Sequence, residues 1–325
     1  METMQPYEQL ETDFGKWAGV DNVVACSSGT AALHLALEAL QLPPGSEVIV
    51  PDFCMIAVPR AVVMAGLVPA FVDCNDRLLL DSESLGMATV EPYQATVCVH
   101  IYGRREDMDW IHSVTTSHHA VIEDLAESHG INPHESTDAA CWSFYKNKHI
   151  GGEEGGAVAF RDKRHADHAR QLRSLGFTDK HDFHHIPRGH NYRLSNANAS
   201  LILASLHLYR PNLMARRWIE SCYEAECPVP WRMPRRDAPW VYDIRIPGLT
   251  GDRQDAIVAA LNAAGIAARH AFKPMSEQLE FKACRVVGNG NAARLAREII
   301  YLPLTPGQVT EEDVKRSFQI IHGAL

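Results

Sequence analysis

Short apolar runs recur along the first two hundred residues. They are rich in Val, Ile, Phe and Cys and lack polar residues at alternate positions, which is typical of strands in a parallel sheet covered on both faces. Strands are predicted at residues 47–50, 68–72, 96–100, 120–123, 139–144 and 157–160. The recurrence predicts a sheet at the centre of this part of the chain.

The stretches between these runs have helical periodicity. Residues 30–40 place their apolar side chains on neighbouring helical rows, and helices are also predicted at residues 54–65, at residues 108–115 and before Asp21. Strand–helix–strand repetition of this kind predicts a layered α/β fold.

The pattern changes after Gly189. Residues 194–223 have helical periodicity with an interruption near Pro211, and a proline-rich connection follows. Strands are then predicted at residues 241–246 and 299–302, and helices at residues 252–264 and 310–322. We therefore predict a large α/β domain over residues 1–208 and a small C-terminal α+β domain over residues 209–325.

Composition and charge narrow the class of protein. The 325 residues carry 31 Lys and Arg against 40 Asp and Glu, a formal charge of −9, and 46% are hydrophobic, which excludes a disordered or fibrous protein. The negative charge disfavours general nucleic-acid binding. No apolar run or N-terminal pattern predicts a membrane helix or a secretory signal. Eight cysteines without a C-x-x-C pair indicate buried thiols, so we expect a cytoplasmic protein.

Two segments carry candidate ligand-binding groups, and each also has an ordinary structural explanation. Ser28, Gly29 and Thr30 form a turn before a helix, where N–H groups and hydroxyls suit a phosphate, although such turns are also common helix caps. Asp124 follows an apolar strand at the edge where α/β sheets bind ligands. Its carboxylate suits a protonated heteroaromatic nitrogen, or it caps a helix.

A third segment places Lys146 and Lys148 between a strand and a glycine-rich loop. A lysine whose pKa is depressed by burial can form a Schiff base, whereas most loop lysines are solvated. A phosphate turn, a carboxylate and a lysine, in this order on an α/β chain, are the parts that hold pyridoxal phosphate. Their combination favours a cofactor site over three unrelated structural features.

The motifs around these residues resemble the DegT-type sugar aminotransferases, which are fold-type I pyridoxal phosphate enzymes. The matching motifs span nearly the whole chain and include Ser27-Ser-Gly-Thr-Ala-Ala-Leu, Ile122-Glu-Asp-Leu-Ala-Glu-Ser-His-Gly, Ser143-Phe-Tyr-Lys-Asn-Lys, Gly152-Glu-Glu-Gly-Gly-Ala-Val and Asn191-Tyr-Arg. Within the family, the sequence is similar to the GDP-perosamine synthase-like branch. The resemblance implies a three-layer α/β fold with a mostly parallel sheet and a small C-terminal α+β domain.

The resemblance also implies roles for single residues. Lys148 would form the Schiff base with pyridoxal phosphate and move the proton, and Asp124 would keep the pyridine nitrogen protonated. Glu127 would lie beside the 3-oxygen of the cofactor, and Met55 would occupy the position of a stacking aromatic ring. Lys146 is assigned no catalytic role.

The phosphate of the cofactor would be held by residues from separate motifs. Ser28, Gly29 and Thr30 would bind it with backbone amides and a hydroxyl, and Ser143 would add a further contact. Asn191 would reach the phosphate of the neighbouring subunit, so the resemblance implies a homodimer with shared active sites.

The implied reaction is a transamination. Glutamate would donate the amino group, and a keto sugar carried by a nucleotide would accept it. Two alternatives stay open: a pyridoxal phosphate-dependent lyase or isomerase acting on an amine-bearing nucleotide or modified nucleic-acid base, and a catalytically silent cofactor-binding relative. The presence of Lys148, Asp124 and Ser143 argues against the silent relative.

Two features depart from the family pattern. The chain opens directly at the helix before Asp21, as an N-terminally shortened member would, and the interval between Asp124 and Lys148 is trimmed.

Residues 161–193 are dense in Arg, Lys and His. Such a stretch suits a phosphorylated ligand, although a solvated surface is the commoner explanation and nucleic acid is a less favoured partner. The histidines at 181, 184 and 185 lack the spacing of a closed metal site, so no metal is expected.

Overall fold

The computed structural model describes residues 4–88, 93–115, 119–178 and 183–325. Within these residues the strands are β1 (Val23–Cys26), β2 (Glu47–Pro51), β3 (Val68–Val72), β4 (Ala95–Val99), β5 (Ala120–Asp124), β6 (Ala139–Ser143), β7 (Gly156–Phe160), β8 (Val241–Arg245), β9 (Arg269–His270), β10 (Val286–Val287) and β11 (Ile299–Pro303). They form an eight-stranded sheet and a three-stranded sheet.

The large sheet is mostly parallel, as predicted. Its strand order is β1-β7-β6-β5-β4-β2-β3-β10, and β7 pairs antiparallel with both β6 and β1 while the other neighbours are parallel. Asp124 at the end of β5 is in register with Val99 of β4 and Cys141 of β6. The carboxyl ends of these three strands therefore form one edge.

Helices flank both sheets. They are α1 (Pro6–Ala18), α2 (Gly29–Ala39), α3 (Ala57–Met64), α4 (Ser82–Ala88), α5 (Met108–Val114), α6 (Lys163–Arg173), α7 (Asn196–His207), α8 (Tyr209–Glu226), α9 (Gly251–Ala263), α10 (Asn291–Glu298) and α11 (Glu311–Ala324). Among the described residues, no helix combines the length and the hydropathy needed to cross a membrane.

Both faces of the large sheet are buried, which explains the apolar runs in the sequence. On β1, Val24 and Cys26 belong to the core shared with α2 and α3, whereas Val23 and Ala25 belong to the core shared with α1 and α7. Alternate side chains of a strand point to opposite faces, so helices cover the sheet on two sides. This arrangement is the three-layer α/β fold that the family resemblance implied.

The predicted long helix is two helices that meet at Leu208. Pro211 lies in the first turn of α8, where its missing N–H is tolerated because it would have no partner within the helix. Farther into a helix, the proline ring would clash with a preceding carbonyl. The interruption therefore lies just before the proline.

The C-terminal part contributes to both sheets. Strands β8, β11 and β9 form the small antiparallel sheet, which shares a core with α8, α9 and α11. Strand β10, however, pairs parallel with β3, and the Asp73 carboxylate accepts the N–H groups of Asn291 and Ala292 at the start of α10. The division of domains at residues 208 and 209 stays a prediction.

Candidate active site

A cavity of about 440 Å³ lies at the carboxyl-terminal edge formed by β4, β5 and β6. Eight of the predicted site residues line it: Ser28, Gly29, Thr30, Met55, Asp124, Glu127, Ser143 and Lys148. They come from four segments that are distant in sequence. The fold therefore brings the three candidate motifs to one place, at the edge where open α/β sheets bind ligands.

The turn before α2 is both a helix cap and part of the cavity wall. The Ser28 hydroxyl accepts the N–H of Ala31 at 3.1 Å, so this side chain caps the helix. Gly29 and Thr30 follow it at the positive end of the helix dipole and line the cavity. The same turn can therefore cap α2 and, as predicted, bind a phosphate.

Close packing explains the glycine of this turn. A Cβ atom at Gly29 would lie 2.7 Å from the Ser143 Cβ, and a Cβ atom at Gly156 would lie 2.2 Å from the Ser28 carbonyl oxygen. The glycine at position 29 lets the end of β6 lie against the start of α2, which places the Ser143 hydroxyl beside the turn.

Lys148 extends from the loop after β6 into the cavity. Its Nζ atom lies 3.9 Å from Glu127 Oε1 and 3.8 Å from the centroid of the Trp240 ring, and its side chain is 11% exposed. Burial lowers the pKa of the Lys148 amine, and the nearby carboxylates of Glu127 and Asp124 oppose this shift. Lys146, by contrast, has a side chain that is 60% exposed and lies beside Glu153.

Hydrogen bonds to the neighbouring residue fix the lysine loop. The Asn147 carbonyl accepts the Trp240 indole N–H at 3.1 Å and an Arg216 N–H at 3.0 Å. Arg216 is buried and also donates to the Trp240 carbonyl at 2.9 Å. The loop that carries Lys148 is therefore attached to α8 and to the segment before β8.

Asp124 and Glu127 are buried carboxylates with few internal donors. Asp124 accepts the Ala126 N–H at 2.9 Å, and burial raises its pKa although Lys148 opposes the shift. Glu127 accepts the Tyr102 N–H at 3.0 Å, and burial raises its pKa to about 7, again against Lys148. The ionised form of each carboxylate would be stabilised by a further positive group in the cavity.

Met55 and Asn191 occupy different places. Met55 lines the cavity and is 47% exposed. Asn191 lies outside this cavity, at an exposed position that lines a separate concavity together with Tyr7 and Arg193. Its predicted role concerns a neighbouring subunit and stays a prediction.

Three aromatic residues of the cavity wall were not expected from the sequence. Trp240, Phe272 and Tyr301 line the cavity from the C-terminal part of the chain. Trp240 follows a proline and directly precedes β8, but no local pattern connects Trp240 or Phe272 with Lys148. Only the packing of the two sheets brings them together.

Residues of the basic stretch have partners in the protein. Arg173 binds Glu11 at 2.7 Å and the Ala25 carbonyl, and Arg164 pairs with Asp162. His184 and His185 are exposed, whereas His181 lies outside the described residues. These contacts favour a structural role for much of the stretch over a free basic surface.

The sequence and the fold are similar to those of known proteins. The model of the DegT/DnrJ/EryC1/StrS aminotransferase family matches residues 3–322. The chain is 34% identical to GDP-perosamine synthase of Caulobacter vibrioides over 82% of this chain and 76% of that protein, and 32% identical to UDP-N-acetyl-3-dehydro-α-D-glucosamine 3-aminotransferase of Acidithiobacillus ferrooxidans over 97% and 88%. The crystal structure of a family aminotransferase from Brucella abortus superposes with a TM-score of 0.87 at 26% identity, covering 98% and 90% of the two chains. The chain therefore belongs to the DegT/DnrJ/EryC1/StrS aminotransferase family.

Proposed function

We propose that this chain is a pyridoxal phosphate-dependent aminotransferase that transfers an amino group from glutamate to a keto sugar carried by a nucleotide. The observation that carries the proposal is the largely buried Lys148 amine, which lies among Glu127, Asp124 and Trp240 beside the start of α2. The names of the relatives from Caulobacter vibrioides and Acidithiobacillus ferrooxidans support the class of acceptor.

The residues of the cavity fit the cofactor. The N-terminus of α2, with Gly29 and Thr30, suits its phosphate together with Ser143. Burial raises the pKa of Asp124, because it destabilises the ionised carboxylate. A protonated pyridine nitrogen beside Asp124 would stabilise that ionised form. When bound, pyridoxal phosphate supplies an electron sink that stabilises negative charge on the substrate carbon.

The side chains of this chain position the cofactor and handle protons. Lys148 would hold the cofactor and move a proton with its Nζ atom, which burial makes easier to deprotonate. Asp124 would hold a proton on the ring nitrogen. The Trp240 ring and its bond to the Asn147 carbonyl keep the Lys148 amine facing the cavity.

Substitution of the two loop lysines tests the proposal. Lys148→Ala should lower glutamate-dependent turnover by at least about 10²-fold, because it removes the proton-transfer group. Borohydride should fix the cofactor on the wild-type chain and not on this variant. Lys146→Ala is the matched control and should retain both properties, since Lys146 is exposed.

The donor and the acceptor are tested by glutamate-dependent turnover on a panel of keto nucleotide sugars. Release of 2-oxoglutarate together with the amino sugar is the expected result. If glutamate leaves the absorption spectrum of the bound cofactor unchanged and no keto sugar is aminated, transamination with this donor is wrong.

A further inference from the structure

A second cluster of titratable side chains lies between α2 and the segment that follows α6. His34 and Glu38 are one turn apart on α2, and His190 reaches them from the distant segment. One ligand atom from each of the three residues, two imidazole nitrogens and a carboxylate oxygen, lies within 4.8 Å of the other two. None of these residues lines the active-site cavity.

Direct contacts within the cluster satisfy two of its members. His190 Nε2 lies 2.5 Å from Glu38 Oε2, which is a hydrogen-bonded ion pair when His190 is protonated. His34 Nε2 lies 3.7 Å from Glu38 Oε1, too far for a hydrogen bond. The Glu38 carboxylate therefore stands between the two imidazoles.

Among the residues that the structure describes, none forms a hydrogen bond with the His34 nitrogen that points to the cluster. His34 is 2% exposed, its Nδ1 atom lies 3.2 Å from the Tyr192 hydroxyl, and its Nε2 atom is buried without a hydrogen-bond partner in this described part of the chain. A buried polar atom without a partner is costly, and such atoms in proteins usually meet water, an ion or a ligand. When Nδ1–H donates to Tyr192, Nε2 presents its lone pair to the cluster.

The hydrogen bond between Nδ1 of His34 and the Tyr192 hydroxyl orients the ring, with Nε2 on the side of Glu38. A neutral imidazole oriented by a hydrogen bond at its other nitrogen is the usual state of a histidine ligand. Tyr192 also stacks on the His190 ring at a centroid distance of 4.8 Å, so one tyrosine positions both histidines.

We propose that His34, Glu38 and His190 bind a divalent transition-metal ion of the Zn²⁺ class. Two imidazole nitrogens and one carboxylate are the ligand set that Zn²⁺ accepts with a fourth position left for water, and hard cations such as Mg²⁺ prefer oxygen-rich sites. The ion would replace the hydrogen bond between His190 and Glu38. The expectation of no metal concerned the histidines at 181, 184 and 185, and it did not consider this cluster, whose ligands come from two segments with no recognisable spacing.

The proposed site would stabilise the surroundings of the phosphate turn. The Tyr192 carbonyl accepts the N–H of Ser27, which is the residue before the turn. A metal ion at the cluster would cross-link α2 with the segment that carries Asn191 and Tyr192. This inference goes beyond the proposed transamination, because it assigns the ion a structural role and does not depend on the bound substrate.

Zinc titration of chelator-treated holoenzyme tests the site, with Mg²⁺ as the control ion. The wild type should bind one equivalent of Zn²⁺ and gain thermal stability, and Mg²⁺ should do neither. His190→Phe keeps a ring against Tyr192 but removes the ligand atom, so its Zn²⁺ affinity should fall at least tenfold. Glu38→Gln should also weaken binding.

His270→Phe is the matched control, because His270 pairs with Asp255 at 2.7 Å on the surface and is absent from the cluster. It should bind Zn²⁺ like the wild type. The Co²⁺ form should have visible bands of nitrogen and oxygen ligation without the charge-transfer bands of a thiolate, which excludes the free cysteines as ligands. Absence of stoichiometric Zn²⁺ binding by the wild type, or unchanged affinity in His190→Phe, would overturn the proposal.

Discussion

The charge of the Lys148 amine is set by a small number of neighbours. Burial lowers its pKa, and the carboxylates of Glu127 and Asp124 act in the opposite direction. Because burial raises the pKa of Glu127 to about 7, this carboxylate changes its own charge near neutral pH. The ionisation of Glu127 is therefore coupled to the reactivity of the lysine.

Replacement of Glu127 tests this coupling. Glu127→Gln removes a carboxylate that raises the pKa of Lys148, so the lysine pKa should fall. The difference from the wild type should be largest above pH 7, where Glu127 is ionised. The measurement is the rate at which pyridoxal phosphate attaches to cofactor-free protein at several pH values, with the product trapped by borohydride. This rate reports the fraction of Lys148 whose amine is neutral.

Glu153→Gln is the control for this experiment. Glu153 lies 3.9 Å from Lys146 on the exposed side of the loop. Its replacement should leave the pH profile of labelling unchanged. A wild-type profile in Glu127→Gln would contradict the assigned electrostatic role.

Single residues of the site differed in how well they could be predicted. Lys148 and Asp124 stand in local motifs, at the end of a strand and before a glycine-rich loop, and both line the cavity. Arg216 and Trp240 were missed, because their roles depend on a contact with the Asn147 carbonyl that is not encoded in neighbouring residues.

At the scale of elements, two helices begin with a glycine in different surroundings. Gly29 is the first residue of α2, where an added Cβ would lie 2.7 Å from the Ser143 Cβ. Gly251 is the first residue of α9, and a Cβ there would meet no atom of the described residues within 4 Å. Alanine substitutions at these two glycines therefore distinguish the effect of close packing on stability from the effect of helix propensity.

Gly29→Ala should lower the free energy of unfolding by about 1–3 kcal/mol, which is typical of overpacking. It should also weaken binding of pyridoxal phosphate, because α2 and β6 must move apart at the predicted phosphate turn. Chemical denaturation and cofactor titration measure the two effects. Gly251→Ala should cause neither loss, and equal behaviour of both variants would refute the packing explanation.

The boundaries of the helices could be predicted from the sequence better than the pairing of the strands. The predicted helices at α2, α3, α5, α9 and α11 match within a few residues, since periodicity and caps are local. Strand β10, with only two residues, was not anticipated. Its existence depends on the free edge of β3 and on the Asp73 carboxylate that holds the start of α10.

At the scale of the whole molecule, a buried ionic network connects the two sheets. Asp243 of β8 accepts two hydrogen bonds from Arg104, at 2.8 and 2.9 Å, and Arg236 binds it at 2.6 Å. Arg236 also binds Glu220 of α8 at 3.1 Å. Arg104 follows β4, so the network positions β8 and the adjacent Trp240 relative to the large sheet.

Asp243→Asn should lower the free energy of unfolding by about 3–5 kcal/mol, because it leaves two buried guanidinium groups without their shared charge. Burial alone would raise the pKa of Asp243, but Arg104 and Arg236 hold it below its usual value. Its contribution should therefore be present above the unfolded-state pKa and be lost as the pH falls toward the folded-state value. Urea denaturation at several pH values measures this, and the exposed Asp255→Asn should show no comparable loss.

Mixed dimers test the predicted role of Asn191. If the side chain completes the site of a neighbouring subunit, Lys148→Ala and Asn191→Ala chains are each impaired alone. Co-refolded chains should regain activity, since one site then combines Lys148 of one chain with Asn191 of the other. Failure of complementation, although mixed dimers form, would show that Asn191 acts within its own chain or not at all.

Contacts between neighbouring residues account for what could be predicted from the chain alone: buried strands, capped helices, and the motifs around Ser28, Asp124 and Lys148. These features depend on side chains a few positions apart, so they can be predicted from the sequence alone. Tertiary packing decided which surfaces meet. Trp240 lies over an amine that is 92 positions away, and His190 binds Glu38 across 152 positions. Such pairs form because whole apolar faces of helices and sheets pack together. No short stretch of sequence specifies which faces will do so.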